Sequence, residues 1–120
     1  MFAPGSIGNV GPGLDILGCA ITGAGDVVEA ERSERPGVRV LDAGHPDLPA
    51  LATRHASAIA ATEVLRRAGS TKMGIELRVV KGLPLAGGQG GSAASAVAGA
   101  VATNALAGNA LSPNDVLAAA

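Results

Sequence analysis

Two short stretches hold the residue types that can do chemistry. The first is Pro84 to Ser95, PLAGGQGGSAAS, where four glycines surround Gln89 and Ser92 opens a run of helix formers. A strand, a glycine-rich loop and a helix start together present backbone N–H groups to an anion. Bare α-carbons let phosphate oxygens approach the chain closely. The helix dipole adds about half a positive charge at Ser92–Ala93. The Ser92 hydroxyl can also reach a phosphate oxygen or a magnesium ion. The loop is not a Walker A motif, which ends in Gly-Lys-Ser/Thr; here there is no Lys. Gly88, Gly90 and Ala93 satisfy G-x-G-x-x-A, but the acidic residue that a dinucleotide site needs about twenty positions on is missing. A glycine turn that merely packs tightly fits the same residues. A β-branched side chain at Gly90 separates the two readings, because it is expected to fill the space an anion needs.

The second stretch is Asn9 to Asp15, with Gly11 and Gly13 between them and Gly8 just ahead. A carboxylate and an amide on one turn can hold the amine and hydroxyl of a small polar substrate. They can equally serve the turn itself, by bonding nearby N–H groups.

These stretches need elements to position them. Phe2 to Gly18 has too many Gly and Pro for a helix and reads as a shaped loop leading into the apolar run Leu14 to Ile21. Asp26 to Glu31 and Val38 to Leu41 are strand candidates, with Pro36-Gly37 in the turn between them. Ala50 to Ala68 lacks Gly and Pro and predicts a helix with Leu51, His55, Ile59, Thr62 and Leu65 on its buried stripe. Gly69 sits where that helix should end. Ile75, Leu77 and Val79 alternate with Glu76, Arg78 and Val80, as in a half-buried strand. No charged residue occurs from Gly82 to Asn114. Ser112-Pro113-Asn114-Asp115 has the N-cap, first-position proline and first-turn acid of a helix start.

Composition limits the function classes. The chain has 120 residues, 48% hydrophobic and 16% charged, which suits one small folded domain. The 25 Ala and 18 Gly imply backbones packed closely around Val, Leu and Ile. A net charge of −1 gives no general grip on nucleic acid or acidic membrane. Phe2 is the one aromatic residue, so base-stacking platforms are excluded. Cys19 allows no internal disulfide, and His45 and His55 are too few for most zinc sites. Ser92 to Gly108 falls short of the ~20 residues of a membrane span, and Thr103 and Asn104 interrupt it. No leader-like opening is visible, so a cytoplasmic location is expected. The helix start at Ser112 so close to the last residue suggests the N-terminal part of a longer protein.

Taken together, the two loops resemble the GHMP family of small-molecule kinases, and within it the homoserine kinase branch. Ala3 to Asp15, APGSIGNVGPGLD, is similar to that branch's A-P-A-x-S-x-N-x-G-x-G-F-D, as are Gly18-Cys19-Ala20-Ile21 and the strand DVVEAE after it. Pro84 to Ala94 resembles the family's P-x-x-S-G-L-G-S-S-A-A. Gln89 stands in place of Leu, and Gly91 in place of the first Ser of the pair.

The resemblance implies an α+β fold, a mixed sheet with helices on one face. Residues 1–120 would form a partial N-terminal ATP-binding domain, without the C-terminal domain. It implies ATP and Mg2+ as cofactors and L-homoserine as substrate. Pro84, Leu85, Ala86, Gly87, Gly88, Gln89, Gly90, Gly91, Ser92, Ala93 and Ala94 would bind ATP, with Ser92 also serving the metal. Asn9 and Asp15 would bind the amino acid. No general base is assigned. The family's acidic magnesium partner, substrate arginines and C-terminal glycine motif lie beyond the stretch that matches, so these residues alone are expected to be inactive. A homodimer is the expected assembly of the longer protein. Neither nucleic acid nor membrane is expected as a partner. Other GHMP kinases, of the mevalonate or cytidyl-methylerythritol type, and a non-catalytic nucleotide-binding module are the alternatives.

Overall fold

The alternation of Ile75, Leu77 and Val79 marks the centre of the molecule, for all three side chains are buried. We describe residues 1–120 from a computed structural model. The elements in order are β1 (Phe2–Gly8), β2 (Gly18–Ser33), β3 (Gly37–Asp42), α1 (Ala56–Arg67), β4 (Gly74–Val80), α2 (Gly91–Leu106) and α3 (Pro113–Ala119). The strands form one sheet in the order β1-β2-β4-β3. β4 pairs antiparallel with β2 and parallel with β3, so the sheet is mixed and the fold is α+β.

Helices α1 and α2 cover one face of this sheet. Val28, Ile75, Leu77, Val79, Leu83, Ala58, Ala61, Leu65, Ala94 and Ala98 meet there in one apolar cluster. Full burial of a Val, Leu or Ile side chain stabilises by ~1.5–3 kcal/mol, so this layer carries much of the fold. The other face is charged: Arg39 pairs with Glu76 at 3.1 Å and Arg78 with Glu31 at 3.3 Å.

The opening differs from the expected loop. Phe2–Gly8 is an edge strand despite its glycines and proline, paired antiparallel with β2. A side chain at Gly5 would strike Leu83 Cδ2 at 2.7 Å and the Gln89 carbonyl oxygen at 3.0 Å, so this glycine permits close approach of β1 to the second loop. The apolar run Leu14 to Ile21 is divided, with a turn up to Leu17 and β2 from Gly18. The turn at Pro36-Gly37 is present, but β2 and β3 do not form a hairpin. β4 lies between them, because the chain returns through α1 before closing the sheet.

Helix α1 begins at Ala56, not Ala50, and its buried side is rotated from the expected stripe. Ser57, Ala58, Ala60, Ala61, Val64 and Leu65 are buried, while Leu51 and Ile59 are exposed. The cause is close helix packing. A Cβ added to Gly99 of α2 would lie 2.7 Å from the Ser57 carbonyl oxygen, so only small side chains fit where α1 and α2 cross there. Gly69 ends α1 as expected, with Ser70 N–H bonded to Leu65 O at 2.9 Å and Gly69 N–H to Arg66 O at 3.2 Å. Ser112 caps α3 by accepting the Asp115 N–H at 3.2 Å. No helix is long and apolar enough to cross a membrane.

Candidate nucleotide-phosphate site

Strand β4 delivers the chain to the glycine loop, and α2 leads it away. Leu83 anchors the start of the loop in the core. Ala86, Gly88 and Gly90 take left-handed backbone angles, φ 57°, 66° and 67°, which fold the loop into a concave arc. Gly90 is also the N-cap of α2. The amides of Leu85 to Ala93 donate to no backbone or side-chain acceptor, and the next, Ala94 N–H, bonds to Gly90 O at 2.9 Å. Bonding of these amides to neighbouring carbonyls would have removed the anion reading, and it does not occur. The Ser92 hydroxyl has no hydrogen-bond partner, and the residue is exposed.

The residues that carry these open amides line a cleft of about 520 Å³. Pro84 to Ala93 form one wall, and Leu48, Pro49, Arg54, His55 and Ala56 the other. Ala94 turns inward to the core and does not line the cleft. Gly90 behaves differently from its expected role. A Cβ there would lie 2.4 Å from Ser6 Oγ, so it would push against β1 rather than fill the anion's space.

Beneath the loop lies a buried cluster that the sequence reading missed. Asp26 of β2 is fully buried and accepts from Gly82 N–H at 3.1 Å, Leu83 N–H at 3.3 Å and Ser95 Oγ at 2.6 Å. Lys81 Nζ forms an ion pair with the same carboxylate and also donates to Gly91 O at 3.3 Å. Lys81 lines the cleft from outside the linear motif, with its ammonium engaged by Asp26. Two signals pointed here. Asp26 is in phase with the buried Val28 on β2, and Lys81 is the last charged residue before the uncharged stretch.

His55 is the N-cap of α1 rather than part of its stripe. It is buried, with Nε2 3.4 Å from Ala43 O and Nδ1 2.8 Å from Ser57 Oγ. A carbonyl can only accept, so Nε2 carries the proton and Nδ1 accepts from Ser57 in the neutral ring. Burial holds the His55 pKa below its usual value; the bond to Ala43 O opposes this, and the nearby Lys81 charge adds to it.

Asn9 and Asp15 lie outside the cleft lining. Both are exposed, with φ 57°. Asp15 N–H donates to Asn9 Oδ1 at 2.7 Å, so the Asn9 amide oxygen serves the turn, while the Asp15 carboxylate stays open. The first loop meets the second through β1, where Ser6 N–H donates to Gln89 O at 2.9 Å.

The family model for the GHMP kinases N terminal domain matches residues 53–120, which include the whole glycine loop. The chain belongs to the GHMP kinase family. The homoserine kinase of Xanthomonas campestris is 45% identical over 107 residues, covering 88% of this chain and 33% of that protein. The homoserine kinase of Methanopyrus kandleri is 41% identical over 100 residues, covering 83% and 31%. The crystal structure of homoserine kinase from Cytophaga hutchinsonii superimposes with a TM-score of 0.92 at 38% identity, covering 98% of this chain and 38% of that one. The chain thus spans about a third of the length of the relatives it matches. The GHMP N-terminal fold, a mixed sheet with helices on one face, agrees with the resemblance read from the two loops.

Proposed function

We propose that this chain is the phosphate-cradling part of a homoserine kinase. The reaction transfers the γ-phosphoryl group of ATP to the side-chain hydroxyl of L-homoserine, giving O-phospho-L-homoserine for threonine biosynthesis. One P–O bond to the β-phosphate breaks, one to the homoserine oxygen forms, and the hydroxyl proton is released. Phosphoryl transfer depends mainly on positioning and charge neutralisation. The observation that carries this reading is the unbroken run of unbonded amides from Leu85 to Ala93, ending at the N-terminus of α2 over an open cleft. In this role the amides hold the phosphate oxygens. The Ser92 hydroxyl, free of partners, suits a single ligand to Mg2+, a metal that keeps phosphate and water oxygens for most of its shell. No group of three or more His, Cys, Asp or Glu in residues 1–120 offers a metal cage, so Ser92 is the ligand this stretch would lend to Mg2+. Asn9 shapes the turn that presents Asp15, whose carboxylate suits the amine of an amino-acid acceptor. A kinase of this kind works on free metabolites in the cytoplasm, and a homodimer is its proposed assembly.

Calorimetric titration of the chain with MgATP, and with adenosine as control, tests the cradle. Saturable binding that depends on the phosphates is expected. Equal affinity for MgATP and adenosine would remove the reading. L-homoserine, mevalonate and cytidyl-methylerythritol, titrated against the ATP-loaded chain, separate the acceptor classes, and only L-homoserine is expected to bind.

A further inference from the structure

The glycine loop has few side chains with which to hold its own shape, so its geometry must be imposed from outside. Four donors converge on the fully buried carboxylate of Asp26: the backbone N–H groups of Gly82 and Leu83 on one oxygen, and Lys81 Nζ and Ser95 Oγ on the other. Gly82 and Leu83 begin the loop. Ser95 lies in the first turns of α2, just past its end. Lys81 Nζ reaches the same end of the loop through Gly91 O at 3.3 Å and Ser95 Oγ at 3.2 Å. A single carboxylate on β2 thus ties both ends of the loop together. Between those ends the one other tie is Gln89 O to Ser6 N–H at 2.9 Å.

We propose that Asp26 is a positioning residue for the anion cradle: by clamping Gly82–Leu83 to Ser95 and Lys81, it sets the spacing of the open amides from Leu85 to Ala93. The role in nucleotide affinity rests on the kinase reading above; the clamp itself does not. The clamp also assigns the Lys81 charge. Its ammonium is spent on Asp26, so the pair brings no net charge to the cleft floor and the attraction for phosphate comes from the main chain. Removing one partner of a buried ion pair is costly because it leaves the other charge uncompensated. A carboxylate can accept from all four donors, whereas an amide cannot.

Asp26→Asn keeps an oxygen for Gly82 and Leu83 but turns an NH2 group toward the ammonium, which opens the far end of the clamp. Ser95→Ala removes one tie and strands no charge, and Asp26→Leu with Lys81→Met replaces the ion pair by apolar side chains. The readouts are 15N order parameters of Gly87 to Ser92 without ligand, and the ratio of MgATP to adenosine affinity. In the unaltered chain the loop should be as rigid as α2, at ~0.85; the variants should move toward ~0.6. MgATP affinity should fall about threefold for Ser95→Ala, where three donors still hold Asp26, and at least about tenfold for Asp26→Asn, which breaks the charged contact with Lys81. Adenosine affinity should stay constant. Folded variants with an unchanged loop and an unchanged affinity ratio would overturn the proposal. If Asp26→Asn does not fold, Ser95→Ala and the double variant give the answer. If the unaltered chain shows no preference for MgATP, the nucleotide reading fails and the order parameters alone decide the clamp.

Discussion

The two glycine-rich loops look alike in sequence and are built in opposite ways. The loop from Asn9 to Leu17 spends its amides on itself. Gly13 N–H bonds to Val10 O at 3.1 Å, Leu17 N–H to Gly13 O at 2.8 Å and Asp15 N–H to Asn9 Oδ1 at 2.7 Å. Its side chains point outward, and Ile16 is 84% exposed. The loop from Pro84 to Gly90 spends almost none of its amides and is fixed from outside by β1 and by the Asp26 cluster. Self-bonded turns leave only side chains for recognition, whereas an externally clamped loop leaves its main chain free. A carboxylate suited to an amine is found on the first, and amides suited to phosphate on the second.

The contrast is broken most severely at the seam between the loops. Gly90→Val places a β-branched residue at φ 67° and its Cβ against Ser6 Oγ. Left-handed strain alone costs ~1–3 kcal/mol for a non-glycine residue, and the clash adds to it. The expected result is an unfolding free energy lowered by at least that amount and nucleotide affinity reduced by more than about tenfold. Chemical denaturation and calorimetry check both. Because the side chain meets β1 and not the cleft, stability and affinity should fall together. Loss of affinity at full stability would mean that the side chain enters the anion space after all.

The same seam shows what could be read from the sequence. The glycine loop and the start of α2 were legible because glycine spacing and a helix start are local features, fixed within a dozen residues. The clamp was not, because Asp26 meets Ser95 across 69 residues and Lys81 across 55. Large apolar residues at helical spacing suggested the stripe of Leu51 and Ile59, but the α1–α2 contact at Gly99 and Ser57 selects small ones. Period-two alternation identified β4 correctly, since its partners on both sides are strands and the pattern follows directly from the pleat. Phe2–Gly8 resembles a loop when glycines count only as breakers, whereas Gly5 lets Leu83 and Gln89 approach the strand.

A smaller effect is expected from pH, acting through His55 in the cleft lining. Burial keeps the His55 pKa below 6.5 in the folded chain, while the unfolded chain takes up a proton near 6.5. The unfolded state therefore binds more protons as the pH drops, and folding is penalised. The His55 contribution is fully present above pH 6.5 and is lost as the pH falls through the lower folded value. Urea midpoints measured from pH 7.5 to 5 should decline, and His55→Gln should flatten that part of the curve. An unchanged slope in the variant would assign the acid sensitivity to other groups.

The mildest changes sharpen the contrast from the side of the first loop. Asn9→Ala removes the acceptor for the Asp15 N–H and should cost about 1 kcal/mol or less, since the freed amide can bond to water. Asp15→Asn keeps that backbone bond and removes only the outward carboxylate, so stability should not change measurably. Neither variant touches the clamp, so MgATP affinity should equal that of the unaltered chain in both. L-homoserine affinity separates them. It should fall in both, through loss of the turn geometry in Asn9→Ala and through loss of the charge in Asp15→Asn. At rising salt, the gap between Asp15→Asn and the unaltered chain should close, because an exposed carboxylate–ammonium contact is screened. The Asn9→Ala deficit should persist, because it comes from the shape of the turn.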